Sequence, residues 1–339
     1  MIPKQSKRIS LASRPHGKPE RNDFQYEDVP VPEPANNQVL LKTIYLSVDP
    51  YMRGRMSNAK SYVEPFKLGE PIEGGAISQV VKTNSSRFSE GDYVIGILPW
   101  QEYCIASEKE VRKVDPSLAP LSSYLGILGM TGLTAYFGLM DIGQPKEGET
   151  VVISGAAGAV GSAAGQIAKI KGAYVVGIAG SDEKVEYLTE KLGFDKAINY
   201  RTCGNIRDAL KETCPDGIDV YFENVGGEIG DAALSLLNKF ARVPVCGAIS
   251  AYNSTEGDIG NRVQTVLIKS SALMKGYVVS DYADRFKEGA SQLGQWLSEG
   301  RLSYEETITE GFDNIPEAFL GLFQGNNLGK QLVKVSDTE

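Results

Sequence analysis

The stretch Thr150-Val151-Val152-Ile153-Ser154-Gly155-Ala156-Ala157-Gly158-Ala159-Val160-Gly161 limits what this chain can fold into more than any other. A β-branched apolar run passes into small residues, and a helical pattern starts at once. That is the layout of a first βα turn that binds a dinucleotide. Val151 to Ile153 reads as a buried parallel strand. Ala156 and Ala157 keep the turn tight, with Ala156 where a first glycine is usual. Gly158 lets backbone approach a pyrophosphate, and Gly161 lets the next helix, about Ala159 to Lys171, pack on the strand. The amides that open this helix would face phosphate charge.

A chain of 339 residues exceeds one ordinary core, so two domains are expected. Up to about residue 124 short apolar runs alternate with Pro and Gly turns: Gln38 to Ile44, Gly75 to Val81 and Tyr93 to Ile97. Such spacing predicts a small β barrel. From Leu125 strands and helices alternate. Strands are expected at Tyr174–Ala179, Ala197–Tyr200, Ile218–Glu223, Val243–Ile249 and Leu273–Val279. Pro244 counts against the fifth of the six, counting Val151–Ile153 as the first, because it lacks a ladder donor. Helices are expected from the N-cap Ser181 to near Gly193, over Asn205–Thr213, and over Ala283–Glu299. The series implies a doubly wound parallel sheet with sites at the strands' C-terminal ends. The tail carries a short helix at Ile315–Phe323 and a strand at Gln331–Val335, and should return to the first domain.

Composition removes several functions. A formal net charge of −8 argues against nucleic acid or an anionic membrane as partner. The N-terminus lacks the apolar core of a signal peptide, and no run is long enough to span a membrane. Cys104, Cys203, Cys214 and Cys246 lie far apart, as reduced cytosolic thiols do. With His16 as the single histidine, a catalytic zinc lacks ligands. His16 itself reads as a loop residue, and no Gly-x-Ser-x-Gly elbow supports a hydrolase.

The cofactor's identity is read after the second strand of the βα series. An NAD site places an acid there, but this chain has Ala179-Gly180-Ser181 with Lys184 three residues on. A hydroxyl and a cation in place of a carboxylate suit the 2′-phosphate of NADP(H). Val48 to Gly54, Gly247 to Asn253 and Gly325 to Lys330 also stand out, although by pattern alone each reads as a structural turn.

Taken together, Arg14-Pro15-x-Gly17-x-Pro19, Ser47 to Arg53, Gly129 to Tyr136, Ala156 to Gly161, Gly180-Ser181-x-x-Lys184, Asn224 to Gly227, Cys246 to Asn253 and Asn327 to Lys330 resemble the medium-chain dehydrogenase/reductase superfamily. More narrowly, they are similar to its zinc-free prostaglandin reductase and alkenal double-bond reductase branch. The resemblance implies a GroES-like domain over residues 1–124, completed by 300–339, and a Rossmann domain over 125–299. It implies NADPH between them and a homodimer. It places Gly158, Ala159, Val160 and Gly161 at the pyrophosphate, and Ser181, Lys184 and Tyr200 at the 2′-phosphate. Asn224, Cys246, Gly247, Ala248, Ile249, Ser250, Tyr252, Tyr277, Val278, Val279 and Asn327 would line the cofactor. Tyr51 and Tyr252 would line the substrate pocket. Two places depart from the branch's pattern: Pro99 in the segment Ile97 to Tyr103, and Glu223 where Asp is common. The activity implied is NADPH-dependent, metal-free reduction of the C=C bond of α,β-unsaturated aldehydes and ketones. Tyr252 or a ribose hydroxyl would donate to the developing enolate oxygen. A quinone reductase on the same fold, or a non-catalytic NADPH-binding protein, are the alternatives.

Overall fold

The computed structural model describes residues 2–338. In chain order its strands are β1 (Gln5–Leu11), β2 (Phe24–Pro30), β3 (Gln38–Ser47), β4 (Glu73–Thr83), β5 (Tyr93–Pro99), β6 (Tyr103–Ser107), β7 (Val111–Val114), β8 (Thr150–Ile153), β9 (Tyr174–Ala179), β10 (Lys196–Asn199), β11 (Ile218–Phe222), β12 (Leu237–Val245), β13 (Leu273–Gly276), β14 (Glu306–Glu310) and β15 (Lys330–Lys334). The helices are α1 (Met52–Arg55), α2 (Met130–Phe137), α3 (Ala159–Ile170), α4 (Asp182–Glu186), α5 (Ile206–Thr213), α6 (Gly227–Leu234), α7 (Val263–Ser270), α8 (Phe286–Ser298) and α9 (Ile315–Leu322). They form two compact units. One gathers the described residues up to Leu125, Glu306–Asn327 and those from Gln331 onward; the other holds Gly126–Glu305 and Leu328–Lys330.

The first unit is built on antiparallel pairing. β1 pairs with β2, and a seven-stranded sheet runs β14-β15-β3-β4-β5-β7 with β6 on β3. β3 is its spine. Two register shifts, at Leu40/Leu41 and Thr43/Tyr45, break its simple alternation. Val39, Leu41 and Leu46 therefore enter one core and Ile44 another, which explains the unbroken apolar look of this strand. Trp100 closes the larger core. It stacks on Phe24 at 6.1 Å and meets Phe319 of α9 edge-on at 6.3 Å, which fixes the returning tail.

The second unit is a six-stranded sheet in the order β10-β9-β8-β11-β12-β13. Each of its adjacent pairs is parallel. This is the doubly wound order, and it reverses beside β8. Val151 and Ile153 enter one core layer and Val152 the other, as period-two alternation requires. The turn after β8 thus leaves the sheet at its switch point.

Several boundaries differ from the sequence reading. The fifth strand, expected over Val243–Ile249, is β12. It begins earlier, passes an irregularity in its pairing with β11, and ends at Val245. Pro244 is tolerated because its carbonyl still accepts from Glu223 N–H at 3.0 Å, so only its own donor is missing. The sixth strand stops at Gly276, and the last helix of this unit starts at Phe286 after a run of tight turns. The helix capped by Ser181 ends at Glu186 and continues as a wider turn to Lys191. The helices α2, α6 and α7 and the strand β14 were not anticipated. In α2 the sequence looks broken by Gly132, yet a Cβ there would lie 1.8 Å from the Ile127 carbonyl oxygen. That glycine is a packing requirement and not a breaker.

The same logic applies where α3 meets β8. A Cβ on Gly161 would lie 2.4 Å from the Gly155 oxygen and 2.8 Å from Ala156 Cα, both backbone atoms. Gly161→Ala should therefore destabilise the fold by about 1–3 kcal/mol, read as a lowered thermal unfolding midpoint. An unchanged midpoint would show that the turn can yield.

Candidate cofactor and substrate site

The turn after β8 is held at both ends. Gly155 takes the left-handed region at φ 58°, which only glycine adopts freely. Ala156 N–H then reaches across to the Ile178 carbonyl of β9 at 3.0 Å. Gly158 is extended and precedes α3 without a side-chain cap, so the first amides of this twelve-residue helix face outward with the positive end of its dipole. Gly158, Ala159 and Val160 are half-buried and Gly161 is buried. The sequence reading, centred on Ala156, missed Gly155 as the residue that makes the turn. The Ser154-Gly155 step after an apolar strand was the available signal.

Residues 328–330 close over this turn from the far end of the chain. Gly329 N–H donates to the Ala157 carbonyl at 2.8 Å, and Gly158 and Gly329 form an isolated bridge. Gly329 has φ 64°, and a Cβ there would lie 1.9 Å from the Glu305 oxygen.

After β9, Ser181 Oγ accepts from Lys184 N–H at 3.3 Å and caps α4. Tyr200, just past β10, lays its ring over Gly180, where a Cβ would stand 3.0 Å from ring atoms. Arg201 follows, its guanidinium 5.8 Å from the centre of that ring. Burial, and then the positive charge of Arg201, push the Lys184 ammonium below the ordinary lysine range, with Glu183 opposing. Two cations thus crowd a corner where an NAD site would carry an acid. Arg201 was missed from sequence because it lies one strand away from Lys184.

After β11 the chain is held by a buried carboxylate. Glu223 Oε1 accepts from Ser154 Oγ at 2.9 Å, Val225 N at 2.8 Å and Gly226 N at 2.9 Å. Asn224 donates its side-chain amide to the Ser154 carbonyl at 2.7 Å. The next loop hangs from these residues. Cys246 N and Gly247 N bond the Glu223 carbonyl, Ile249 N bonds that of Asn224, and Ser250 bonds that of Val225 through both N–H and Oγ. Ala248 N–H donates to Tyr252 Oη at 3.4 Å. Burial raises the Tyr252 phenol above the ordinary tyrosine range.

Tyr277 follows β13. Its phenol donates to the Thr134 carbonyl of α2 at 2.8 Å and lies beside the Cys246 thiol. Gly138 makes room for it, since a Cβ there would lie 2.2 Å from Tyr277 Oη. Burial pushes the Cys246 thiol up to about 12, so it is no nucleophile at neutral pH. With the Tyr277 side chain turned to α2, backbone and the half-buried Val278 and Val279 remain for a ligand.

Parallel strands put all these segments on one sheet edge, so the structure gathers Gly158–Gly161, Ser181, Lys184, Tyr200, Asn224, Cys246–Tyr252 and Tyr277–Val279. The residues suit a dinucleotide phosphate: a turn of small residues, open helix amides and two cations. Asn327 and Tyr51 belong to the first unit and are half-buried. Burial and Asp49 push the Tyr51 phenol well above the ordinary tyrosine range, with Arg55 opposing. His16 is exposed, and among the described residues no three His, Cys, Asp or Glu side chains group as metal ligands.

Gly329→Ala should disturb the turn and not the 2′-phosphate corner. It should raise the dissociation constants of NADPH and NADH alike, by about tenfold, in a fluorescence titration. A selective loss of NADPH would contradict this placement.

Comparison with known proteins gives the lineage. Residues 7–114 match a family model described as the N-terminal domain of oxidoreductase, and residues 159–295 one described as zinc-binding dehydrogenase. The NADPH-dependent curcumin reductase of Escherichia coli is 45% identical, covering 98% of this chain and 97% of its own. The NADP-dependent 2-alkenal reductase of Nicotiana tabacum is 42% identical, covering 98% of each. The crystal structure of CurA from Vibrio vulnificus in complex with NADPH superposes with a TM-score of 0.93 at 43% identity, covering 98% of this chain and 99% of that one. The chain belongs to the medium-chain dehydrogenase/reductase superfamily, in its zinc-free prostaglandin reductase and alkenal reductase branch.

Proposed function

We propose that this protein is an NADPH-dependent reductase of the C=C bond in α,β-unsaturated aldehydes and ketones. The observation that carries this reading is the corner of Lys184 and Arg201, without a strand-end acid, in a chain 45% identical to a curcumin reductase. Gly158 to Gly161 would hold the pyrophosphate. Ser181, Lys184, Tyr200 and Arg201 would hold the 2′-phosphate. Asn224, Cys246 to Ser250, Tyr252, Val278, Val279 and Asn327 would line the rest of the cofactor, with Tyr277 held back by α2. In this reading the first unit is the GroES-like catalytic domain and the second the cofactor domain.

When bound, NADPH supplies the hydride that reduces the alkene at Cβ. The conjugated carbonyl then needs a donor for the charge gathering on its oxygen. Tyr252 fits this role. Its phenol keeps its proton at neutral pH, and its oxygen is oriented by the Ala248 amide, leaving the O–H to donate. Tyr51, also protonated, would form a substrate wall. Water would supply the α-proton.

The partner is a small unsaturated carbonyl compound, not nucleic acid or membrane. A second copy of the chain is the partner we assign to the outer face of the sheet. No residue of β13 or α7 is buried, and Ile268 and Leu273 are 78% and 51% exposed beside an unpaired edge. Among the described residues no helix is long and apolar enough to cross a membrane. Four unbridged cysteines support a cytoplasmic location.

Two variants test the assignment, assayed by NADPH oxidation with an enone, a quinone and no acceptor in parallel. Lys184→Ala should raise KM for NADPH by roughly ten- to a hundredfold and leave NADH use nearly unchanged. Equal losses would remove Lys184 from the phosphate site. Tyr252→Phe should lower kcat on enones by about tenfold while NADPH affinity holds. Because burial raises the Tyr252 phenol, its proton is lost only as pH climbs past the ordinary phenol value of about 10, so the donor role should persist across neutral and mildly alkaline pH. An unchanged kcat in the Phe variant would leave Tyr252 a wall only.

A further inference from the structure

The reaction leaves two sequence motifs unused: Arg14-Pro15-His16-Gly17-Lys18-Pro19, and the arginine that ends Val48-Asp49-Pro50-Tyr51-Met52-Arg53. In the first unit they are stitched to each other. Arg53 is only 7% exposed. Its Nε and Nη2 donate to the Gly17 carbonyl at 3.2 and 2.8 Å, and Nη2 also lies 3.4 Å from the Pro15 carbonyl. Gly17 has φ 80°, a conformation that a side chain would strain. From the other side, Arg14 donates through Nη1 to the Met56 carbonyl and through Nη2 to that of Phe66, both at 3.0 Å. Each segment therefore grips the backbone of the other.

Tyr51 immediately precedes α1, two residues before Arg53 in the chain. Four residues make a helix too short to hold itself. Its first bonds, Met52 N to Asp49 O and Arg53 N to Pro50 O, are 3.1 Å. Met52 and Met56 sink into the core beneath it, and arginines hold its outer side. Arg55 donates to the Glu64 carbonyl at 2.9 Å and stacks over Phe66 at 4.0 Å. Asp23, fixed by Ser13 Oγ and Glu20 N–H, supplies the negative charge near the buried Arg53.

We propose that Arg53 is a positioning residue for substrate selection: by holding the Arg14–Pro19 loop against α1, it fixes the wall that Tyr51 presents and so sets how bulky an enone is used well. This rests on Tyr51 lining the substrate pocket. The role needs a planar fork, because two carbonyls in one loop are gripped together. A lysine keeps the charge and the stem but not the fork.

The test compares kcat/KM for a bulky aryl enone with that for a short enal, alongside KM for NADPH. In Arg53→Lys the bulky-to-short ratio should fall about tenfold, with KM for NADPH unchanged. Tyr51→Ala is the control for the wall and should shift the same ratio. If Tyr51→Ala leaves the ratio unmoved, the wall reading fails, and the proposal with it. If Tyr51→Ala shifts the ratio but Arg53→Lys does not, the positioning role alone is overturned. Equal losses with both substrates and with NADPH in Arg53→Lys mark a merely structural arginine and overturn it too. Should Arg53→Lys fail to fold, Arg14→Lys loosens the same junction from the opposite side. It should move the ratio the same way, and an unmoved ratio there counts against the proposal.

Discussion

The cofactor edge depends on one buried carboxylate. Glu223 is 5% exposed, and a carboxylate so placed is costly unless hydrogen-bonded. Three donors meet a single oxygen, and they come from the end of β8 and from the turn after β11. The Glu223 backbone carbonyl then takes two amides of the loop after β12. One residue thus ties three of the six strand ends together. Its extra methylene over an aspartate is accommodated by Gly230, where a Cβ would stand 2.5 Å from Glu223 Oε2. The departure from the branch's usual residue is matched by an absent side chain opposite.

That rigid edge surrounds a site whose electrostatics oppose those of the whole molecule. The chain carries a formal net charge of −8, yet its cofactor edge presents the open amide end of α3 and the pair Lys184 and Arg201. The fields are local and act at short range, where screening is weak. Burial, and after it the neighbouring Arg201 charge, holds the Lys184 ammonium below the ordinary lysine range, with Glu183 opposing.

Much of this was legible from sequence because it rests on local rules. The strand–turn–helix at β8, the Ser181 cap and the strands β9 and β11 follow from periodicity and capping, and lie where those rules put them. What escaped depends on distant partners. Gly132 breaks the helical pattern of α2 by propensity, while the fold demands it because Ile127 is in the way. β12 begins before the apolar run that announced it, since its first residues pass an irregular register against β11. Arg201 joins Lys184 only because β10 lies beside β9. The lacing of Arg14 and Arg53 joins segments some forty residues apart, and nothing in either motif names the other.

The two tyrosines at the cofactor edge show how context divides one chemistry. Burial raises both phenols, so both keep their protons at neutral pH. Tyr277 has committed its proton to the Thr134 carbonyl, and Gly138 is kept without a side chain to admit it. Its hydroxyl fastens the segment after β13 to α2 and is spent there. The Tyr252 oxygen accepts from the Ala248 amide within its own loop. Accepting one hydrogen bond polarises a hydroxyl and strengthens the bond it can donate. A donor of that kind is useful where negative charge appears only during reaction, since it gains most in the transition state and little in the ground state. Sequence spacing treats these residues alike, as aromatics following adjacent strands. The partners of their oxygens separate a fastening at Tyr277 from a phenol at Tyr252 whose proton stays free of the Ala248 contact, which is why the proposed donor is Tyr252.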